Sequence, residues 1–152
     1  MSQVYSEDVD LGDQIGPLVK QPSVEETRAF AEMSRLSGRF ISSDGARQEG
    51  ADRMLVSSWQ SMGYLAQLLT DWMGEKGFLS RFDVSFRRRV EPEDRLECQA
   101  VVTDILREGG RGVVTLDAFI VNQRGERPLQ ATAEVTLPSR SVEQPAGAGH
   151  YE

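Results

Sequence analysis

Residues 53–77, RMLVSSWQSMGYLAQLLTDWMGEKG, decide how this chain folds. Leu55, Trp59, Met62, Leu65, Leu68, Leu69 and Trp72 recur at helical spacing, while Met54, Val56, Tyr64, Ala66 and Met73 put apolar groups on the other sides. A helix apolar on nearly its whole circumference is predicted to be buried. Gly74 and Gly77 end it.

Such a helix needs a partner that wraps it, and from Phe78 onward the apolar period changes to two. In FLSRFDVSFRRRV (78–90) Phe82, Val84 and Phe86 alternate with Asp83, Ser85 and Arg87. RLECQAVVTDIL (95–106) alternates Leu96, Cys98, Ala100 and Val102 with polar neighbours. GVVTLDAFIVNQ (112–123) and PLQATAEVTL (128–137) repeat the pattern through Val114, Leu116, Ala118, Ile120 and through Leu129, Ala131, Ala133, Val135. Four consecutive strands with one apolar face each predict an antiparallel sheet. The joints EPED, EGGRG and NQRGERP supply Gly or Pro among polar residues, as turns require.

Upstream, PSVEETRAFAEMSRL (22–36) opens with Ser23 and carries Glu26 three residues on, a capping box that predicts a first helix, with Ala29, Phe30, Met33 and Leu36 on one side and an end near Gly38. Between the two helices lies SGRFISSDGARQEG (37–50), a polar loop with Arg39, Asp44, Arg47 and Glu49. No internal repeat is visible at periods of about 20–50 residues.

A strongly twisted antiparallel sheet curled around one buried helix is the hotdog arrangement, an α+β fold. Its sheet has edges, and edges pair, so such folds are expected to dimerise. At 152 residues the chain fits a single domain, read as residues 1–139 with a flexible C-terminal tail over 140–152.

Bulk composition narrows the chemistry. A net charge of −7 opposes the basic footprint that nucleic acid demands. No apolar run approaches the ~20 residues that span a bilayer, and the acidic start MSQVYSEDVDLGD is unlike a signal peptide. With Cys98 as the only cysteine, the chain is expected to be cytoplasmic. The only histidine, His150, lies in the Gly/Ala/Pro tail SRSVEQPAGAGHYE, so Ser-His-Asp and Cys-His schemes and His-ligated metals are not expected unless that tail folds back over a site. No metal or separate cofactor is expected.

Two segments carry a family resemblance. FDVSFRRRVEPEDRLECQAVVTDI (82–105) resembles the strand, turn and strand of MaoC-like hydratases and dehydratases, where an F-x-x-P-V-x-P-G-D-x-L-type stretch follows the buried helix. ARQEGADRMLVSSWQSMGYLAQLLTDWMG (46–74) is similar to that family's A-R-x-x-G segment, its turn and its buried helix. The likeness spans most of residues 23–137 and implies a hotdog protein that binds an acyl thioester such as an acyl-coenzyme A. It also implies assembly as a homodimer or as a heteromer with another hotdog subunit.

In that family an Asp and a His in the loop after the first helix, within D-x-N-P-x-H-x-D, share a water that is added to or removed from a 2-enoyl thioester. Backbone amides at the start of the buried helix hold the enolate oxygen. Counting back from Ala46 and Arg47, the His position falls near Phe40 to Ser42, and the Asp has no clear counterpart. The resemblance therefore implies a divergent or non-catalytic homologue or partner subunit.

An active hydratase, dehydratase or cyclase-like enzyme would have to use Asp44 with Ser42, Ser61 or Arg39, and Asp44 would need burial to raise its pKa. Asp44 reads more simply as a loop turn or helix N-cap. A hotdog thioesterase would need an acid within the buried helix, where Asp71 stands only at the far end.

For binding, Ser57, Ser58 and the Gly50 amide sit where a thioester oxygen would be cradled, although Ser57 and Ser58 also read as N-caps. Arg87 and Arg89 fall on the strand face opposite the apolar set, suited to coenzyme A phosphates or to pairing with Glu91, Glu93 or Asp94. Arg39 and Arg53 are spare cations. Trp59 borders the same turn and reads either as core or as pocket lining. Cys98 points with its strand's apolar set, a small buried hydrophobe rather than a nucleophile.

Overall fold

A computed structural model describes residues 2–142. Its elements run β1 (Gln14–Lys20), α1 (Val24–Met33), α2 (Ser43–Gln48), α3 (Ser58–Met73), β2 (Phe78–Phe86), β3 (Leu96–Glu108), β4 (Arg111–Val121) and β5 (Leu129–Pro138). The strands make one antiparallel sheet in the order β1-β3-β4-β5-β2. α3 touches all five strands. This is the hotdog arrangement expected from the change of period at Phe78.

The register explains how a helix fits against a sheet this curved. Ala100 of β3 pairs with Ala118 of β4, which pairs with Ala131 of β5, so a row of methyl groups crosses the sheet under the helix. Ala133 adds a fourth buried methyl one step along β5. Side chains that end at Cβ let α3 approach closely, while Leu96, Ile120, Leu116, Leu137 and Val135 fill the flanks. Leu65 and Leu69 of α3 are fully buried at the centre of this cluster.

α3 is not enclosed on every side. Met54, Leu55 and Val56 precede the helix rather than lining its back, because the chain there is extended and Val56 bridges Val90. On the outward stripe Gly63 and Thr70 are exposed, and Trp59 is 72% exposed, so Trp59 does not belong to the core. A sheet curls over one side of a helix, and the described residues leave the other side partly open.

The fifth strand, β1, breaks the alternation by which strands are read. Gly16 and Pro17 interrupt it, the register shifts between Ile15 and Leu18, and Pro17 offers no amide, which suits a strand at the sheet edge. A Cβ at Gly16 would come within 2.6 Å of the Cys98 carbonyl oxygen, so the irregular backbone needs glycine. α1 is capped as expected, with the Ser23 hydroxyl accepting from the Glu26 amide. It ends at Met33 rather than near Gly38 and buries Thr27 and Ala31, leaving Met33 exposed.

The two ends of the described chain clasp each other. Arg140, in a single 3-10 turn (Arg140–Val142), donates from both Nη atoms to Asp8, at 2.7 and 2.9 Å, and lies 4.6 Å from the centre of the Tyr5 ring. The Ser139 hydroxyl donates to Glu7 at 2.6 Å. Residues 140–142, assigned to the tail by composition, are therefore structured; the tail reading for 143–152, His150 included, lies outside the described residues. Among the described residues no helix is long and apolar enough to cross a membrane.

Two predictions follow from this architecture. Leu65→Ala leaves a void against the alanine row and lowers unfolding free energy by about 3 kcal/mol in urea titration. A loss under ~1 kcal/mol contradicts the central placement of Leu65. The second concerns acid. The Ser139 hydroxyl holds the Glu7 carboxyl down, from 4.5 to about 2, so its stabilisation is present above pH 4.5 and is lost as pH falls through 2. Between those values Glu7→Gln flattens the fall of Tm with pH relative to wild type; parallel curves would place Glu7 outside the clasp.

Candidate functional site

The extended approach to α3 creates a cleft. The Val56 amide donates to the Val90 carbonyl at 2.8 Å and the Leu55 amide to the Arg39 carbonyl at 2.9 Å. This ties the loop after α1, the residues before α3 and the segment joining β2 to β3 around one space. That space, about 400 Å³, has apolar walls from Phe40, Leu55, Phe86 and Leu129, hydroxyls from Ser58 and Ser61, and the arginines 39, 87, 88 and 89 at its rim.

The stretch 37–50 is organised to build a wall. It folds as a 3-10 turn (Gly38–Phe40) followed by α2, whose N-cap Ser42 accepts from the Gly45 amide at 2.9 Å. Gly45 packs on Gly38 so closely that a Cβ would stand 2.3 Å from the Gly38 carbonyl oxygen. Glu49 accepts from the Arg39 amide at 2.5 Å and sits 3.6 Å from its Nε. Its desolvation is outweighed by the Ser37 hydroxyl and by the Arg39 amide and guanidinium, which leave the carboxyl below its ordinary value. The Arg28 Nε donates to the Ile41 carbonyl and anchors the turn to α1.

This organisation reassigns several sequence candidates. Asp44 lies on α2 with its side chain 84% exposed and ion-paired to Arg47 at 2.5 Å, outside the cleft, so it is not the buried carboxyl that the catalytic reading requires. Ser42 is engaged as a helix cap. Gly50 closes the C-terminal end of α2, where its amide donates to the Arg47 carbonyl, and it is not at the start of α3. Ser57 is the N-cap of α3, its hydroxyl accepting from the Trp59 amide at 3.1 Å. Trp59 does not line the cleft.

Ser58, Ser61, Arg39, Arg87 and Arg89 do come together at the cleft. Ser61 is buried, and its hydroxyl donates back to the Ser57 and Ser58 carbonyls at 3.3 and 3.2 Å. Among the described residues Glu91 pairs with Arg53, Asp94 with Arg124, and Glu126 with Arg88. The guanidiniums of Arg87 and Arg89 have no acidic partner there.

Reading the sequence missed Phe40, Leu55, Phe86, Leu129 and Arg88 as lining residues. Phe40 falls in the stretch where the family resemblance puts a His, so an apolar ring borders the cleft there. Arg88 was hidden by strand alternation, which assigns it to the face opposite Arg87; β2 ends at Phe86, and alternation lapses beyond it.

Among the described lining residues arginine is the only titratable type, so no side chain there exchanges a proton near neutral pH. Cys98 is buried in the core, its thiol pushed up to about 12 by burial. Asp71 is exposed near the far end of α3. A second hollow, about 310 Å³, lies between Val24, Arg28, Met54 and Pro92, and its one carboxylate, Glu91, is 3.4 Å from Arg53 Nη1.

No protein-family model and no curated protein matches the sequence. Solved structures do match. A MaoC-like dehydratase from Rhodospirillum rubrum superposes with a TM-score of 0.80 at 22% identity, covering 90% of this chain and 98% of that one. The R-hydratase PhaJ1 from Pseudomonas aeruginosa gives 0.78 at 17% identity over 97% of both chains. The ChsH1–ChsH2 complex from Mycobacterium tuberculosis gives 0.72 at 18% identity, over 84% of this chain and 98% of that one. The chain thus has the fold of the MaoC-like hotdog proteins over nearly their whole length.

The cleft wall yields its own test. Gly45→Ala forces the 38–40 turn away from α2 and lowers stability by about 1–3 kcal/mol. Gly63→Ala, within α3 where an added Cβ meets nothing within 4 Å and φ is helical, costs nothing and gains up to ~1 kcal/mol. Equal effects in thermal unfolding would mean that the Gly38–Gly45 contact does not set the wall.

Proposed function

We infer that this chain is a MaoC-like hotdog protein that binds an acyl thioester, such as an acyl-coenzyme A, or a related small molecule, without itself carrying out hydration or dehydration. The observation that carries this reading is the make-up of the cleft: apolar walls of Phe40, Leu55, Phe86 and Leu129 to take an acyl chain, serines at the helix start, cations at the rim and, among the described lining residues, no side chain that titrates near neutral pH. A water cannot be split across a 2-enoyl thioester without a group to take and return its proton.

A subunit of this kind works beside an active one. β2 is a sheet edge, hydrogen-bonded on one side only to β5, and Phe86 at its end is 48% exposed beside the cleft. The chain joins a second hotdog subunit there, as a homodimer or as a heteromer with an active homologue; solved structures of the fold include the ChsH1–ChsH2 and HadBC complexes. A free, buried Cys98 agrees with the reducing cytoplasm as its place of action.

The test uses the purified chain with crotonyl- and 2-octenoyl-coenzyme A. Loss of enoyl absorbance stays at background, while octanoyl-coenzyme A at about a hundred times Kd stabilises the fold by about 2.7 kcal/mol, read as a rise in Tm. Turnover that disappears in Asp44→Asn would establish the catalytic alternative. An unchanged Tm with every thioester would remove the binding reading.

A further inference from the structure

Three consecutive arginines leave β2, and the fold treats them differently. The Arg87 and Arg88 amides both point to the Pro128 carbonyl, at 2.8 and 3.4 Å, which docks this segment on the turn between β4 and β5. Arg88 Nη1 then reaches Glu126 at 3.1 Å. Glu126 also accepts from Asn122 Nδ2 at 3.0 Å and from Arg124 Nε at 2.9 Å. Buried Asn122 in turn accepts from the Arg124 and Glu126 amides, each at 3.0 Å. On the other side Arg124 stands 3.7 Å from buried Asp94, which accepts from the Glu91 amide and from Gln123. The network thus joins the β4–β5 turn to both ends of the segment that carries Arg87 and Arg89.

Outside the apolar cleft a third hollow, of about 440 Å³, lies over Arg87, Arg88, Arg89, Arg124, Glu91 and Glu126. The two acids there are taken by Arg53, Arg88 and Arg124, which leaves Arg87 and Arg89, among the described residues, as the cations common to the cleft and this hollow that have no acidic partner. Two guanidiniums two residues apart suit a head group with several negative charges better than one carboxylate.

We propose that Arg87 and Arg89 select ligands with a polyanionic, phosphate-bearing head, and that Arg88, clamped by Glu126, is the positioning residue that holds this pair at the cleft mouth. The thioester part rests on the reading given under Proposed function; the charge selection does not.

Calorimetric titration with octanoyl-coenzyme A, the phosphate-free octanoyl-N-acetylcysteamine thioester, and adenosine 3′,5′-bisphosphate alone tests this. Wild type binds the coenzyme A ester about tenfold tighter than the phosphate-free one, with an affinity that weakens as salt rises. Arg87→Ala/Arg89→Ala abolishes the preference and flattens the salt dependence, weakening the coenzyme A ester far more than the phosphate-free one. Arg88→Ala lowers the preference about threefold but keeps the salt dependence, and Arg88→Lys restores part of the loss. Should neither thioester bind, bisphosphate binding that the double variant loses still upholds the charge selection. Overturning results are equal affinity of wild type for the two esters, a preference that survives in the double variant, or no binding of bisphosphate and esters alike.

Discussion

Everything in this molecule depends on the packing of Leu65 and Leu69 of α3 in one buried cluster with the row Ala100, Ala118, Ala131. Larger side chains in that row would lift the helix, and smaller ones on the helix would leave a void; either change separates helix and sheet. The flanks, from Leu96 to Leu137, then have one way to fill the remaining space. Polar groups at the helix start fit the same contact only because they are satisfied locally: buried Ser61 donates back to carbonyls of its own first turn, and Ser57 caps it.

The position of α3 also sets the position of the cleft. Because the helix begins at Ser58, the residues before it are free to run as an extended strip, and that strip bridges Val90 on one side and meets Arg39 on the other. Three segments far apart in sequence are thereby held around one space. The loop after α1 contributes backbone and an aromatic ring, not acids: its carboxylates are spent on Arg47 and on the Arg39 amide and guanidinium, which fold the loop. A loop rich in serine and charge is here a scaffold.

What could be read from the residues divides along the same line. The sheet and central helix were legible because burial imposes a period, and the alternation through Leu96 to Val102 and Leu129 to Val135 survives in the structure. β1 was not legible, since Gly16 and Pro17 erase the period at an edge that tolerates them. The loop 37–50 was recognised as special but misread in detail. Charge and serine suggest chemistry, whereas the deciding feature, a backbone contact between Gly38 and Gly45, has no side-chain signature. Trp59 shows the limit of helical spacing: it tells which residues share a face, not whether anything covers that face.

The arginine run shows how local charge and overall charge act together. With 24 acidic and 17 basic residues, acidic partners are plentiful, and most of the ion pairs among the described residues are exposed ones that contribute little individually. Three adjacent guanidiniums repel one another, and a fold under no other constraint would disperse them or pair each one. Here Glu126 offsets one charge of the three, while Asn122 and Arg124 hold Glu126 ionised, below its ordinary carboxylate range, despite its desolvation. The remaining repulsion between Arg87 and Arg89 stays in the free protein, and a bound polyanion would relieve it. An exposed cation pair kept beside an apolar cleft in an acidic protein is a local conflict of the kind that binding sites retain.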